Sequence, residues 1–482
     1  MIKQTALTIA VSAALTTTAI AEPIRQYPDE STQQKPTTRV IVKYKEGIVT
    51  SQGASSAGGA RIFEVDETDA EAFVQQLKNR PEVDEVATDV IITHPPMPKP
   101  PERAPMVNGS SFQPSEAPSD PGFDQQISWQ APSGTDQGFQ DTLRAYLETP
   151  REQTIRIGVL DSGFYETPEL VWSEGYNITD IGLSEYGPEF YEDALNPDCT
   201  TPHGNAVAGI LGATANNGLG VAGITNAELV AGRVLECNSG SLYDASVGIR
   251  WMAGDAAITD VPAISEPVDV INLSLGAQIT DCPFYMQEAV DYATDRGILV
   301  VAAAGNDDID AGRFAPASCN NVLSVGAVGR DGLGSDFSNF GDTVDVSALG
   351  ELVGTLDENG EPSRWYGTSF AAPIVAGIGG LMKQANPALS ANQIADIIVS
   401  TSRAQMDGSK DVAGIADAGQ ALDAVKAQLD ANRPEIRSAL NGVTRCNEAA
   451  YVNNAPAGVD FQSMYEGWQT NVKNSPKTLP TY

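Results

Sequence analysis

Histidine is almost absent from this chain: 482 residues carry two, His94 and His203. Any acid–base chemistry that uses imidazole near neutral pH therefore depends on one of them. Basic residues are scarce as well. Lys and Arg total 29 against 63 Asp and Glu, a formal charge of −34. That balance excludes polyanion binding through bulk charge, so neither nucleic acid nor an anionic membrane surface is an expected partner. The five cysteines (Cys199, Cys237, Cys282, Cys319, Cys446) contain no Cys-x-x-Cys pair, and with two histidines they offer no zinc pattern. Long apolar runs are missing after the first residues, so no membrane span is expected. An apolar content of 41% at this length still suffices for a large core and two or three structural units.

Residues 1–21 read as a cleaved export signal: Lys3 supplies the positive start, Thr5 to Ile20 the mostly apolar run, and Ala19-Ile20-Ala21 the cleavage site. The expected destination is the periplasm or the medium, a disulfide-permissive setting that leaves one of five cysteines without a partner in the chain. Residues 22–94 follow, with a compact α+β core over 39–94. Arg39 to Tyr44 alternates as a strand, Asp69 to Asn79 places Ala72, Phe73 and Leu77 at helical spacing, and Val83 to Thr93 returns as a strand. Such a unit is marginal alone and is expected to lean on something larger. Residues 95–119 are Pro-rich and read as an extended linker open to cutting.

From 120 to 430 apolar strands alternate with helices. Strands are expected at Ile155–Leu160, Leu229–Leu235, Val268–Leu275, Ile298–Ala304, Val322–Val328 and Val344–Ser347. Their near-continuous Val, Ile, Leu and Ala suits parallel strands covered on both faces. Helices are expected at His203–Ala213, Tyr243–Gly254, Tyr285–Arg296, Ser369–Gln384 and Ala391–Ser400, the last behind a Ser390/Gln393 capping box. The fold class is α/β, a doubly wound and mostly parallel sheet preceded by the small α+β domain, with ligands at the carboxyl ends of strands. Residues 431–482 break the pattern and read as a C-terminal extension.

Four segments carry the chemistry. His203 lies in Thr201-Pro202-His203-Gly204, with Thr201 expected as N-cap and Pro202 as the first helical residue. Asp161 ends a buried strand, where a carboxylate must be paired. Ser369 lies in Gly367-Thr368-Ser369-Phe370-Ala371-Ala372-Pro373 at a helix start, where backbone N–H groups can stabilise an oxyanion. Pro373, four residues on, is read as tolerated within the first turn. Asn306 ends the strand from Val300 with an amide able to donate to a developing negative charge.

Taken together, Asp161-Ser-Gly, His203-Gly, Ala303-Ala-Gly-Asn306 and Gly-Thr-Ser369-Phe-Ala-Ala-Pro, in that chain order, resemble the subtilisin-like serine peptidases (subtilases) over roughly 120–430. The resemblance implies a secreted serine endopeptidase that hydrolyses peptide bonds through an acyl-enzyme, with Ser369 as nucleophile and His203 as base then acid. Asp161 would hold the imidazole tautomer, and Asn306 with the Ser369 N–H would form the oxyanion hole. It also implies substrate backbone lying between Ser239-Gly240-Ser241 and Ser274-Leu275-Gly276, with Ala304-Gly305 opposite on the side-chain pocket. Residues 39–94 take the place of the propeptide, an intramolecular inhibitor, in a precursor that matures by self-cleavage. The protein is expected to act as a monomer on proteins or peptides. A catalytically silent partner-binding member of the fold is the competing reading, although no triad residue is missing. Gly204-Asn205-Ala206 and Phe370 depart from the family's usual Gly-Thr-His and Met, without replacing a catalytic group.

No cofactor is expected for catalysis. Asn216 to Gly223 resembles the family's calcium loop, with Asn217 as a ligand, or else is a metal-free turn; its acidic partner is not evident in Thr167–Leu170, and Glu174 is offered for that place. Cys199 lies shortly before His203 and Cys237 follows a strand bordering the same cleft, while Cys282 and Cys319 flank the Asn306 strand. With similar cysteines in some secreted subtilases, this favours the pairs Cys199–Cys237 and Cys282–Cys319 and leaves Cys446 over.

Overall fold

The protein is described here from a computed structural model, over residues 37–45, 60–94, 117–131, 140–151, 153–165, 167–179, 202–236, 238–258, 261–405 and 413–443, without the side chains of 432–443. The expected signal segment, the Pro-rich linker up to 116, Thr201, Cys199, Cys237 and Cys446 lie outside the described residues.

The N-terminal domain consists of β1 (Thr37–Tyr44), β2 (Arg61–Asp66), α1 (Glu67–Lys78) and β3 (Val83–Thr88), an antiparallel sheet in the order β2-β1-β3 with one helix across it. Ala70, Val74 and Leu77, at i, i+4 and i+7, pack on Val40, Val42 and Val83. The buried helix face is thus rotated from the expected one: Ala72 is exposed and Phe73 half-buried. The strand β2 is an addition to the sequence reading. The strand expected through Val83–Thr93 is broken, because β4 (Ile91–Thr93) leaves this sheet for another partner.

That partner belongs to the larger α/β body, built from α2 (Thr142–Glu148), β5 (Arg156–Asp161), β6 (Trp172–Asn177), α3 (His203–Gly212), β7 (Glu228–Arg233), β8 (Leu235–Glu236), β9 (Ser239–Ser241), α4 (Leu242–Met252), β10 (Val270–Leu273), β11 (Ala277–Gln278), α5 (Phe284–Thr294), β12 (Leu299–Ala303), β13 (Phe314–Ala315), β14 (Leu323–Val328), β15 (Val346–Leu349), β16 (Val353–Leu356), β17 (Pro362–Trp365), α6 (Thr368–Ala385), α7 (Ala391–Ser400) and α8 (Ala418–Val443). Seven strands form one sheet in the order β15-β14-β12-β10-β5-β7-β6. Every neighbouring pair in it is parallel. All residues of β5, β10, β12 and β14 are buried, as sheet strands covered on both faces require.

Alternation sorts the strand side chains into two cores. Ile157, Val159, Leu299 and Val301 join the helices α3 and α6 on one face, whereas Leu160, Ile271, Val300 and Ala302 join α4 and α5 on the other. The central helix α6 lies close against the sheet because Gly379 has no side chain there: a Cβ would come 2.5 Å from Leu299 Cδ2. Strand order reverses on either side of β5, so the crevice at its carboxyl end is where a ligand site belongs.

Cys282 and Cys319 form a disulfide. The chain divides into one compact unit to Val425 and a second from Lys426, and α8 spans the boundary expected at 430. Among the described residues, no helix is long and apolar enough to cross a membrane.

Candidate active site

At the end of β5, Asp161 is fully buried and accepts from Ser162 N at 2.7 Å. His203 Nδ1 lies 2.9 and 3.0 Å from its two carboxylate oxygens. The contact depends on two glycine-rich turns meeting. Gly204 N donates to Ser162 O at 2.8 Å, and a Cβ on Gly204 would sit 2.3 Å from that oxygen. The helix begins at His203, where its expected span begins, but its N-cap is Pro202, expected as the first helical residue behind Thr201. Asn205, the departure from the family pattern, exchanges hydrogen bonds of 2.9 and 3.0 Å with the backbone of Tyr165 and fixes the loop after Asp161 to α3.

The electrostatics follow from burial and proximity. Burial alone would raise the Asp161 carboxyl, but the adjoining His203 and His94 rings outweigh it and hold it at about 2. Burial, the largest influence, lowers His203 below its ordinary 6.5; Asp161 opposes this and His94 adds to it. A neutral imidazole beside an ionised carboxylate is the pairing a general base needs.

Ser369 is buried in the first turn of α6, next to Gly367, whose φ of +136° is open to glycine. Its hydroxyl is directed at the Ser274 carbonyl, 3.4 Å away. Because α6 starts at Thr368, Pro373 lies beyond the first turn, not within it as the sequence reading held. Pro373 has no N–H for the Ser369 carbonyl four residues back, and Ser274 Oγ donates to that carbonyl instead, at 2.7 Å. Asn272 Nδ2 in turn donates to Ser274 Oγ at 2.9 Å.

Asn306 follows β12, and Thr368 N and Oγ1 donate to its Oδ1 at 2.9 and 2.8 Å. This fixes which end of the amide is nitrogen and sets it beside Gly367. Thr368 and the buried Asn339, which holds Ala304 O at 2.7 Å and the N–H groups of Asp307 and Ile309, are positioning residues the sequence reading missed. Thr368 was visible as part of its motif, but Asn339 gives no periodic or spacing signal.

The two expected edges of a substrate cleft flank a strand of the protein itself. β4 pairs antiparallel with β9, Ile92 opposite Gly240, and Thr93 exchanges two hydrogen bonds of 3.1 Å with Gly276. His94 then stacks on His203, with ring centroids 3.8 Å apart and an interplanar angle of 21°. Its Nε2 lies 2.8 Å from Asp161 Oδ1. At the base of this insertion Asp89 accepts from Ser241 Oγ at 2.7 Å and from Tyr243 N at 3.1 Å at the start of α4, and Arg39 pairs with both Asp89 and Asp244.

The loop at Asn217 is closed by hydrogen bonds. Asn217 Nδ2 donates to Glu169 Oε1 at 2.8 Å, its Oδ1 accepts from Leu219 N at 2.8 Å, and Asp120 accepts the N–H groups of 216–218. Glu169, not Glu174, is the acid that faces it; Glu174 pairs with Arg156 and Ser265. These oxygens are turned to N–H donors instead of converging, so the donor set does not fit a calcium ion, and no step is assigned to one.

A buried carboxylate–imidazole pair, a serine at a helix start and an oriented amide at the carboxyl edge of a parallel sheet define a serine peptidase of the α/β class. Residues 152–424 match the subtilase family (Peptidase S8), and the chain belongs to that family. It is 30% identical to the extracellular basic protease of Dichelobacter nodosus over 96% of this chain and 84% of that one. Subtilisin Savinase of Lederbergia lenta is 32% identical over 51% of this chain and 82% of its own. A solved protease from Pseudoalteromonas arctica PAMC 21717 is 32% identical, covers 64% of this chain and 99% of its own, and has a TM-score of 0.56.

Proposed function

We propose that this serine endopeptidase is exported as a precursor, that residues 39–94 inhibit it from within, and that it matures by cutting its own linker between 95 and 119. The observation that carries the reading is the strand Ile91–Thr93 between Ser239–Ser241 and Gly276, which lays peptide backbone along the segment whose Ser274 contacts Ser369. Export is supported by the signal-like residues 1–21 and by the extracellular relative.

In the proposed mechanism a protein or peptide substrate takes the place of β4. The neutral His203 accepts the Ser369 hydroxyl proton as oxygen attacks the scissile carbonyl, and Asp161 stabilises the imidazolium. Asn306 Nδ2 and the Ser369 N–H receive the negative oxygen. His203 returns the proton to the leaving amine, and water then hydrolyses the acyl-enzyme by the same path. One chain supplies all these groups, so a monomer suffices for this chemistry.

A fluorophosphonate probe should label Ser369. Ser369→Ala should lower turnover of denatured casein by about six orders of magnitude. In a host lacking other exported proteases this variant should accumulate with residues 22–119 attached. Trimming of Ser369→Ala between 95 and 119 in that host would disprove self-maturation, and absence of labelling at Ser369 would disprove the catalytic reading.

A further inference from the structure

The two histidines of the chain are 109 positions apart, yet their rings stack at 3.8 Å over one buried carboxylate. His203 is explained by the proposed mechanism; His94 is not. It is the residue after the strand pinned to Gly276, so its place in the cleft is that of a side chain on the bound peptide.

The Nε2 of the His94 ring is the atom that meets the buried carboxylate. Nε2 lies 2.8 Å from Asp161 Oδ1 and 3.4 Å from Ser162 Oγ, and Nδ1 lies 3.4 Å from Asn238 Oδ1. One ring face covers His203, and the residue is only 9% exposed. Asp161 keeps its bonds to His203 through both oxygens while taking this additional donor. A carboxylate with two oxygens has lone pairs enough for all of these contacts. Phenylalanine could reproduce the stacking but not the hydrogen bond to Asp161, alanine neither feature, and arginine the attraction to Asp161 without the flat five-membered ring that stacks on His203.

We infer that Asp161 and the face of His203, beside Ser162, form a subsite that selects an imidazole, so the enzyme favours peptides carrying histidine in the position His94 takes here. The inference rests on the proposed function and deepens it. Asp161 then has two tasks, orienting the base and recognising the bound chain. A hydrogen bond to a buried charged group, added to ring stacking, should change affinity by about tenfold or more.

The test uses the active enzyme purified after expression of the full chain, with quenched peptides Val-Ile-Ile-Thr-Xaa-Tyr-Ser-Gly in which Xaa is His, Phe, Ala or Arg. kcat/KM is measured at pH 8 for cleavage one residue after Xaa, with the cut bond assigned by mass. Histidine should exceed each of the other three by about tenfold or more, mainly through KM. A smaller ratio against Phe would mean that stacking alone decides, and equality with Arg that the subsite reads charge; either result overturns the inference. Casein hydrolysis and fluorophosphonate labelling in the same preparation report separately on the peptidase reading, so failure of one is distinct from failure of the other.

Discussion

Ser274 Oγ donates to the main-chain carbonyl of Ser369 at 2.7 Å, across two segments 95 residues apart in sequence. The bond replaces the helical one that Pro373 cannot make, and it fixes the backbone from which the Ser369 hydroxyl projects. Ser274→Ala leaves that carbonyl buried without its donor, which should cost about 1–3 kcal/mol of stability. In steady-state kinetics it should lower kcat more than it raises KM. An unchanged kcat would show that the carbonyl does not need this partner.

Thr368 and Asn306 form a second pairing of this type. Asn306→Ala should reduce kcat by about 10²- to 10³-fold with a small effect on KM, as expected for a donor that acts on charge developing in the transition state. Thr368→Val keeps the shape but removes the hydroxyl that donates to Asn306 Oδ1. Its kcat should fall in the same direction by less, about tenfold, and a variant with normal kcat would separate Thr368 from the site.

The shifts at the buried pair set two pH windows. His203 is held below 6.5 in the folded protein, so as pH falls below about 6.5 the unfolded chain takes up a proton that the folded one refuses, and stability declines. Asp161, depressed to about 2, contributes stability that is complete above its unfolded value near 4 and is lost only as pH falls through 2. The Ser369→Ala chain should therefore melt at a lower temperature at pH 4.5 than at pH 7.5, and the difference should shrink in Ser369→Ala/His203→Gln. Activity of the wild type should be full at pH 8 and mostly lost at pH 4; the reverse profile would contradict His203 as base.

Arg39 joins the N-terminal domain to Asp89 and Asp244, whose side chains are 4% and 5% exposed. Burial works against the guanidinium charge, and the two carboxylates overcome it and raise its pKa. Arg39→Met leaves both acids without this partner, a loss of about 3–5 kcal/mol by the usual cost of breaking a buried ion pair. Urea unfolding of the Ser369→Ala chain should show it, and an unchanged midpoint would place the docking energy elsewhere.

The Cys282–Cys319 bridge closes a loop with a sequence separation of 37. Replacing both by alanine should lower stability by roughly 3–4 kcal/mol on the chain-entropy model. Peptide mapping without reductant should recover this pair, and a peptide joining Cys446 to either would contradict it.

Periodicity and motif order were enough to read the α/β class, six of the seven strands of the sheet and the four segments at its carboxyl edge, because those features are local: apolar runs bury themselves, whereas the edge strand Trp172–Asn177 has no such run. α7 is bounded where its capping box predicted. Even the inserted segment was expected near the cleft from its place in the chain. Apart from the pairs that the family resemblance implied, Asp161 with His203 and Cys282 with Cys319, the sequence did not specify contacts between distant residues. Only tertiary structure turned Val83–Thr93 into two strands: Asp89 accepts from the Ser241 hydroxyl and the Tyr243 N–H at the start of α4, and the chain leaves its first sheet there. It alone chose Glu169 over Glu174 at the Asn217 loop, gave Pro373's missing hydrogen bond to Ser274, and set His94 on His203. Each of these is one polar group satisfied by another far along the chain, and a buried polar group takes whichever partner the packed fold brings within about 3 Å.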